Sequence, residues 1–360
     1  MRIAKSTIQF VAVLVITLFS YSSFANESHS EEKEFSATDL IDSHIGDSHE
    51  FHIADWNGHP ISLYLPVILW TDNGLKMFSS SKFHHDNAGT VVVDIDGEKF
   101  VRFKEVIYYA DKYAEITDES DKSGLNFAAR PLNFSITKLV FSMLMSVIIL
   151  FILFFAVARS YNKNKMAPKG LAGFLEPLIL FVRDDIAIPN IGPKKYARYM
   201  PYLLTIFFFV WINNLIGLIP FFPFSSNLTG NIYFTFVIAF ITFLITTLSA
   251  NKAYWGHIFA PPVPKALYPI MWPVEIIGMF TKPFALMIRL FANITAGHII
   301  ILSLISLIYI FKTAMISPVS IGFVLFMSVL EMLVAALQAY VFTLLSALFI
   351  GQAVAEHDHH

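Results

Sequence analysis

Long apolar segments alternate with short polar connections over the second half of the chain. Five of them are long enough to cross a membrane, since an α-helix needs roughly 20 residues to span the hydrocarbon core. They cover residues 136–158, 200–220, 231–250, about 273–311 and about 318–350. The pattern predicts a mainly α, polytopic membrane domain over 134–355 with five transmembrane helices, followed by a tail at 356–360.

The last two segments are longer than a perpendicular crossing requires. A helix of about 39 residues measures roughly 58 Å, whereas the hydrocarbon core is about 30 Å thick. We therefore expect these two helices to be steeply tilted, to bend or to extend into water. A further apolar repeat predicts a helix lying in the membrane interface, formed by Leu171, Phe174, Leu175, Leu178 and Val182.

The N-terminus has the layout of a secretory signal peptide over residues 1–25. Arg2 and Lys5 precede an apolar run at 8–19, and small residues end at Ala25, after which we expect cleavage. A short uncleaved anchor helix is the alternative, although the apolar run is shorter than a membrane span. Either arrangement places the following segment outside the cytoplasm.

Residues 26–133 are predicted to form a small β-rich domain. Strand-like runs are separated by the turn dipeptides Asn57-Gly58, Asn73-Gly74 and Asp96-Gly97, which are strong hairpin signals, so we expect a β-meander. The domain also carries histidines whose spacing matches no metal-binding pattern, and surface histidines are preferred over a metal site. They are His44, His49, His52, His59, His84 and His85.

The basic residues of the connections predict the orientation of the membrane domain. Eight of them lie between the first and second spans, and Lys252 and Lys265 follow the third, whereas the other two connections contain only Lys312. Cytoplasmic connections are the ones enriched in lysine and arginine. The pattern predicts a protein of the cell inner membrane with a periplasmic N-terminal domain and a cytoplasmic C-terminus, which agrees with the signal peptide.

The composition supports the membrane assignment and excludes several functions. Hydrophobic residues make up 56% of the chain and charged residues 14%. The net charge of -2 provides no basic surface for nucleic acid. Without cysteine there is no disulfide framework, no thiolate metal site and no cysteine nucleophile, and the chain has no phosphate-binding glycine loop. We expect no cofactor, no metal and no catalytic site on this chain, and a solvated rather than metal-binding histidine-rich tail.

Polar side chains form a stripe along the fourth apolar segment. Glu275, Lys282 and Arg289 are seven residues apart and share a stripe with Asn293, whereas His298 points to nearly the opposite side. An arginine at bilayer depth costs at least about 2.5 kcal/mol unless it pairs or meets water, which favours a functional role for Arg289. Lys282 could instead snorkel to the surface, and Glu275 lies near it.

The fifth segment carries a second polar row. Glu331 and Gln338 are seven residues apart and therefore share one helix face. His298 and Glu331 lie at comparable depths on helices that run in opposite directions, and we interpret them as a pair lining an aqueous path. The alternative role for Gln338 and for Asn293 is structural, since an amide in a membrane span often only forms a hydrogen bond with a neighbouring helix.

Several motifs resemble those of subunit a of the F-type ATP synthases. The run at 282–298, KPFALMIRLFANITAGH, is similar to the family signature, and LQAYVF at 337–342 is similar to its last-helix motif. NNLIGLIP at 213–220, followed by SSN at 225–227, is similar to its middle region. The resemblance covers about residues 136–355, so the N-terminal domain has no counterpart in the family core.

The resemblance implies a proton-conducting stator subunit. Arg289 would face the ring of c subunits, where its charge favours the ionised form of each passing carboxyl group and blocks direct proton passage between two half-channels. The remaining positions fall along those half-channels. They are His298, Glu331, Asn293 and Gln338 at the periplasmic half-channel and Glu275 near the cytoplasmic one. Lys282, on the same stripe as Arg289, is also predicted to take part in ion translocation.

Two positions depart from common family patterns. Some bacterial members have Glu at position 298 and His at position 331, so this chain carries the exchanged pair His298 and Glu331, and both groups can still titrate. Asn227 stands where many members have Asp, which puts an acid role there in doubt.

The resemblance also implies the partners. They are the c-subunit ring, the b subunits, the other ATP synthase subunits and the lipid bilayer, and the transported ion is expected to be H+ rather than Na+. Two other functional classes lack their expected sequence patterns. A secondary transporter normally shows internal repeats, and a membrane-embedded metalloprotease needs a ligand set such as His-Glu-x-x-His; neither pattern occurs in the sequence.

Overall fold

A computed structural model of the chain describes residues 46–56, 59–116, 127–163, 170–219, 226–259, 263–264, 267–311 and 317–355. Among these residues, five helices are long and apolar enough to cross a membrane, namely Lys138–Tyr161, Tyr196–Gly217, Ile232–Ser249, Tyr268–Leu307 and Ser317–Val354. The predicted membrane domain with five spanning helices is confirmed. The predicted signal peptide and the tail at 356–360 lie outside the described residues.

A short helix, α1 (Ala110–Ala114), belongs to the N-terminal domain. The membrane domain contains α2 (Lys138–Lys163), α3 (Leu171–Phe181), α4 (Ile188–Ile191), α5 (Tyr196–Gly217), α6 (Ile232–Ser249), α7 (Lys252–Phe259), α8 (Tyr268–Phe311) and α9 (Ser317–Val354). The apolar repeat at 171–182 forms α3 and continues through a π-helical segment, Val182–Ala187, into α4. Its location in the membrane interface stays a prediction.

The two last helices are uninterrupted. α8 has 44 residues and contains both Pro273 and Pro283, so it begins earlier than the apolar pattern indicated. At 1.5 Å per residue α8 measures roughly 66 Å and the 38-residue α9 roughly 57 Å. Both lengths exceed a hydrocarbon core of about 30 Å. We therefore still expect the two helices to tilt or to extend into water.

The C-terminal end of α9 is held by two neighbouring connections. α9 packs mainly against α5 and α8. The Lys195 ammonium group donates a hydrogen bond to the carbonyl oxygen of Val354 (2.9 Å), and the backbone amide of Asn251 donates to that of Ala353 (3.0 Å). These bonds satisfy carbonyl groups that a helix end leaves without partners in the helix itself.

The described part of the N-terminal domain contains eight strands, β1 (Glu50–Trp56), β2 (His59–Tyr64), β3 (Pro66–Thr71), β4 (Gly74–Ser79), β5 (Val93–Ile95), β6 (Glu98–Phe103), β7 (Val106–Tyr109) and β8 (Leu132–Asn133). They form three antiparallel sheets with the orders β1-β2, β4-β3-β8 and β5-β6-β7. The predicted β-rich domain is confirmed. The prediction of a meander holds only for β5–β7, because β8 returns from far along the chain to pair with β3.

The turn dipeptides mark the hairpins, with one shift in position. Asp96 and Gly97 connect β5 to β6 and both have positive φ angles, 50° and 84°, as a two-residue type I′ turn requires. In the β3–β4 hairpin the turn residues are Asp72 and Asn73, and Gly74 (φ 108°) already begins β4. The dipeptide at 57–58 lies outside the described residues, although β1 and β2 pair as an antiparallel hairpin.

A buried charge cluster corrects the surface assignment of one histidine. His49 is only 2% exposed, and its Nδ1 lies 3.2 Å from Glu105 Oε2. The buried Arg102 guanidinium lies 3.3 Å from Glu50 and 3.8 Å from Glu105. Burial alone would raise the pKa of Glu105, but the hydrogen bond with His49 and the charge of Arg102 outweigh it and lower the pKa. His85 also pairs with Glu50, at 2.9 Å.

The N-terminal domain joins α2 directly. The backbone amide of Lys138, the first residue of α2, donates to the carbonyl oxygen of Ser48 (2.8 Å). The amide of Leu139 donates to Asp47 Oδ1 (3.1 Å). Because these donors belong to the first helical turn, the domain supplies the N-terminal hydrogen-bond partners of α2.

Candidate ion-translocation site

One face of α8 is exposed and lined by small residues around a single positive charge. Its exposed row consists of Ala285, Arg289, Ala292, Asn293 and Ala296, which follow helical spacing on one side. The other side is buried against the rest of the domain through Leu286, Met287, Leu290 and Ile294. Small side chains let another helix approach closely.

Arg289 has no acidic partner within the part of the chain that the structure describes. A charge in an apolar helix is tolerated only when it pairs or meets water. Its exposed position leaves the guanidinium group accessible to a carboxylate on another chain.

Glu331 and Gln338 lie on the buried face of α9. Their exposed fractions are 8% and 3%. The Glu331 carboxylate lies directly over Gly297 of α8, since a Cβ atom there would be only 3.0 Å from the Glu331 carboxyl carbon. His298 is the next residue and is half-buried. Within the described structure His298 and Glu331 make no direct hydrogen bond, but the fold does bring their positions together.

Buried polar side chains continue from Glu331 toward the turn between α5 and α6. Asn214 of α5 donates to the carbonyl oxygen of Ala335, one turn from Glu331 (3.3 Å). Gly217 lies at the end of α5. A Cβ atom added to it would be 3.6 Å from the Cα atom of Asn227. Several buried atoms here lack a hydrogen-bond partner among the described residues: Asn213 Oδ1, Asn214 Oδ1, Ser226 Oγ, Asn227 Nδ2 and Glu331 Oε2.

Such atoms are uncommon in folded proteins, because a buried polar group without a partner costs free energy. Bound water molecules are common partners of such atoms. The polar atoms without partners therefore form a row that leads from the turn between α5 and α6 to Glu331.

Lys282 connects α8 to the C-terminal part of α9. Its Nζ atom donates to Gln352 Oε1 (2.9 Å) and lies 5.4 Å from the ring centre of Phe349. A cavity of about 20 Å³, lined in part by Lys282 and Tyr254, adjoins this contact. That volume has room for about one water molecule.

Glu275 lies farther toward the start of α8, beside α7. Its Oε1 atom is 3.9 Å from Nδ1 of His257, which is exposed. Burial, together with the nearby Glu275 carboxylate, raises the pKa of Tyr254. Glu275 and Lys282 therefore belong to a second polar region, separated from Glu331 along the helices.

A comparison with protein families identifies this arrangement. The family model described as ATP synthase A chain matches residues 140–351, which include all seven predicted site residues. The match covers more than half of the chain. The chain belongs to the ATP synthase A chain family.

Individual relatives agree with the family model. ATP synthase subunit a of Chloroherpeton thalassium is 52% identical over 231 residues, 62% of this chain and 68% of that protein. ATP synthase subunit a 2 of Chlorobaculum tepidum is 49% identical over 234 residues, covering 63% and 65%. The protein from Anaeromyxobacter sp. is 45% identical over 231 residues, covering 62% and 55%. The chain thus matches about two thirds of the first two A chains and about half of the third.

The N-terminal domain is an addition to the A chain core. A second family model, described as a domain of unknown function (DUF8433), matches residues 40–134. The prediction of an extra domain before the membrane region is confirmed, and its β-rich fold agrees with the strands found there.

Four contacts at the site were not predicted from the sequence, because they depend on tertiary packing. Gly297 makes room for the Glu331 carboxylate, Asn214 reaches α9, Gln352 accepts a hydrogen bond from Lys282, and His257 approaches Glu275. A glycine in the middle of an apolar helix was a usable signal for Gly297, since glycine there usually has a packing reason. Gln352 and His257 lie near helix ends, where polar residues are ordinary.

Proposed function

We propose that this chain is the proton-translocating stator subunit of an F-type ATP synthase, with Arg289 facing the ring of c subunits. The observation that carries the proposal is the exposed row on α8. It places one fixed positive charge among small side chains, with no carboxylate partner in the described part of the chain. The identity of the relatives as ATP synthase subunits a supports the same assignment.

Arg289 would act through its charge. A carboxyl group carried past it by a c subunit is favoured in its ionised form, so the carboxyl group releases its proton there. The small residues on either side allow the c-subunit helix to come close enough for this interaction. The same positive charge repels protons and separates the two access paths, which prevents a short circuit of the membrane potential.

The two polar regions would serve as half-channels. His298, Glu331, Asn293 and Gln338 form the periplasmic path, in which the buried Glu331 hands protons to and from the rotor. The cytoplasmic path comprises Glu275 and Lys282. The separation of the two regions along α8 supports this division, because each path needs to reach only half-way through the membrane.

The proposal includes the location and partners of the chain. The N-terminal domain would be periplasmic after removal of a signal peptide, and the C-terminus cytoplasmic, in the cell inner membrane. The partners would be the c ring, the b subunits and the remaining ATP synthase subunits, which hold the nucleotide sites. The transported ion would be H+ rather than Na+.

The test is Arg289→Ala in inverted membrane vesicles that contain the whole complex. We expect ATP-driven acidification, followed with a pH-gradient dye, to fall to the level of vesicles without the complex. Ile288→Ala is the matched control, because Ile288 is the exposed neighbour without charge and its variant should retain most of the pumping. Subunit composition must be normal in both variants. Undiminished coupled pumping by Arg289→Ala would refute the proposal.

A further inference from the structure

The β4-β3-β8 sheet exposes an apolar side. Val67 and Leu69 of β3 point into the domain, so the alternate residues Ile68 and Trp70 point outward. Trp70 lies opposite Leu75 on one neighbouring strand and Leu132 on the other, Met77 lies opposite Ile68, and Phe134 follows β8. Trp70, Met77 and Phe134 are 57%, 63% and 62% exposed. We call Ile68, Trp70, Leu75, Met77, Leu132 and Phe134 the apolar face.

The opposite side of the domain has a different character. The β5-β6-β7 sheet packs against the inner side of the β4-β3-β8 sheet through residues such as Phe100 and Ile107. On its outward side Asp94 and Lys99 form an exposed cross-strand pair. A domain surrounded by water would be expected to be polar on both outward sides, since large exposed apolar patches mark interaction surfaces. The apolar face therefore points to a specific neighbour.

The chain keeps the apolar face close to the membrane. The amide of Phe134 donates to the carbonyl oxygen of Ile68 (2.8 Å), and that of Ile136 to the carbonyl oxygen of Pro66 (3.1 Å). α2 begins two residues later, at Lys138. No flexible linker separates the sheet from the first spanning helix.

The length of α2 fixes the depth of this junction. Arg159 marks the far end of the apolar part of α2, and about 20 residues of helix cross the hydrocarbon core. Counting back from Arg159 places the other hydrocarbon boundary near Leu139. Phe134 is five residues earlier, at most roughly 17 Å of extended chain from that boundary. The headgroup region starts at this boundary and is about 5–7 Å thick on each side, and tryptophan is enriched in it.

The N-terminal domain also packs directly on α2. Phe51 of β1 packs edge-on against Phe141 in the first turns of the helix, with ring centres 5.4 Å apart. Beyond this contact α2 exposes Leu144, Ile148 and Phe151, as expected for a helix in contact with lipid. The Phe51–Phe141 contact therefore holds the domain beside the start of a helix whose exposed side chains are apolar.

We propose that the apolar face rests on the lipid bilayer, on the side where α2 begins, with Trp70, Met77 and Phe134 inserted among the lipid headgroups. The N-terminal domain is then a peripheral membrane-binding module fused to the A chain core. The proposal depends on insertion of the five helices in a membrane and is independent of the proton-transfer function.

Because the chain has no cysteine, spin labels can be placed at single introduced cysteines. The variants are Met77→Cys on the apolar face and Lys99→Cys on the polar side as the matched control, each in the whole complex in liposomes. Power saturation measures collisions of the label with oxygen, which concentrates in lipid, and with a water-soluble nickel chelate. We expect the oxygen-to-nickel accessibility ratio to be severalfold higher at position 77 than at position 99.

Two outcomes would overturn the proposal. Equal ratios at the two positions would mean that the apolar face is open to water. Low collision rates with both reagents at position 77 would mean that protein covers it, either another subunit or a second copy. Leu132→Cys, compared with Asp94→Cys, provides a second pair if either first variant fails to assemble. Pumping by these variants should be normal, so the result is separable from the Arg289 test.

Discussion

Gly297 determines where the Glu331 carboxylate can lie. A methyl group at this position would collide with the end of the Glu331 side chain. Because that end is flexible, Gly297→Ala should cost little stability, but it should displace the carboxylate from the path. A displacement of about 1 Å at a reacting group can reduce a rate on the order of 100-fold.

We therefore expect Gly297→Ala to slow passive proton flux through the membrane sector strongly, as Glu331→Gln should by removing the titrating group. The measurement is proton uptake driven by a potassium diffusion potential in vesicles stripped of the catalytic sector. Gly278→Ala is the matched control, since it lies on the same helix with open space around it and should leave the flux unchanged. A normal flux in both Gly297→Ala and Glu331→Gln would remove Glu331 from the path.

Glu105 gives a prediction about pH and stability. Its carboxyl pKa is lowered from the ordinary value of 4.5 in the folded chain, so its ionised form stabilises the fold. This contribution is complete well above pH 4.5 and is lost as the pH falls through the lower, folded-state pKa. Glu105→Gln should destabilise the protein by roughly 1–2 kcal/mol at pH 7 because it removes the charge beside Arg102 and His49.

The difference between Glu105→Gln and the parent protein should shrink as the pH is lowered below about 4.5. Thermal unfolding of the purified parent protein and of Glu105→Gln, at pH 7 and at pH 4 or below, measures this difference in stability. Glu115→Gln is the control at an exposed position of the same domain. A difference that stays constant or grows toward acid pH would show that the ionised form of Glu105 is not what stabilises the fold.

At the scale of elements, the spanning helices could be predicted from the sequence, but the segments that connect them could not. Apolar length alone located all five helices, because in a bilayer a continuous helix satisfies its own backbone. The π-helical segment Val182–Ala187 and the short α7 have no comparable signal. The π-helical segment packs against α5 and α9, and α7 packs against α8 and α9. α8 begins at Tyr268, earlier than the predicted start at about 273, and continues through Pro273, since a proline within a membrane helix is tolerated when neighbouring groups satisfy the freed carbonyl.

The contact between α9 and α4 yields a stability prediction. Gly351 of α9 lies against the backbone carbonyl of Asn190, and an added methyl group would overlap it. Since a backbone group cannot turn away, Gly351→Ala should destabilise the protein by about 1–3 kcal/mol. Gly322→Ala on the same helix meets open space and should be neutral or stabilising by up to about 1 kcal/mol.

Thermal unfolding of the two α9 variants in the same detergent provides the comparison. Equal melting temperatures for Gly351→Ala and Gly322→Ala would contradict the close α4–α9 packing. A lower melting temperature for Gly351→Ala alone would agree with it.

At the scale of the whole molecule, the sequence predicted the two regions but not how they join. The hairpins followed from turn dipeptides, which are local. The pairing of β3 with the two-residue β8 joins segments about 60 residues apart, and no local pattern specifies it. The same pairing brings the strands against the start of α2, so the firm attachment of the domain to the membrane helices was also beyond sequence reasoning.

In the candidate site, too, the sequence revealed the residue types but not their surroundings. The types and spacing of Arg289, Glu331 and Gln338 were visible in the sequence, because charges and amides stand out in apolar helices. Their environments depend on packing: Arg289 is exposed beside small residues, whereas Glu331 and Gln338 are buried. That contrast separates the side of the molecule that would meet a rotor from the interior path.

The central claim is that the exposed row on α8 meets the carboxylate-bearing helix of the c subunit. Disulfide cross-linking in the whole complex tests it directly, between a cysteine near the c-subunit carboxylate and either Ala292→Cys or Leu290→Cys in this chain. These two positions lie at nearly the same depth, but Ala292 is exposed and Leu290 is buried. We predict rapid cross-linking from position 292 and none from position 290. Equal cross-linking from both, or none from position 292 in an assembled complex, would contradict the account.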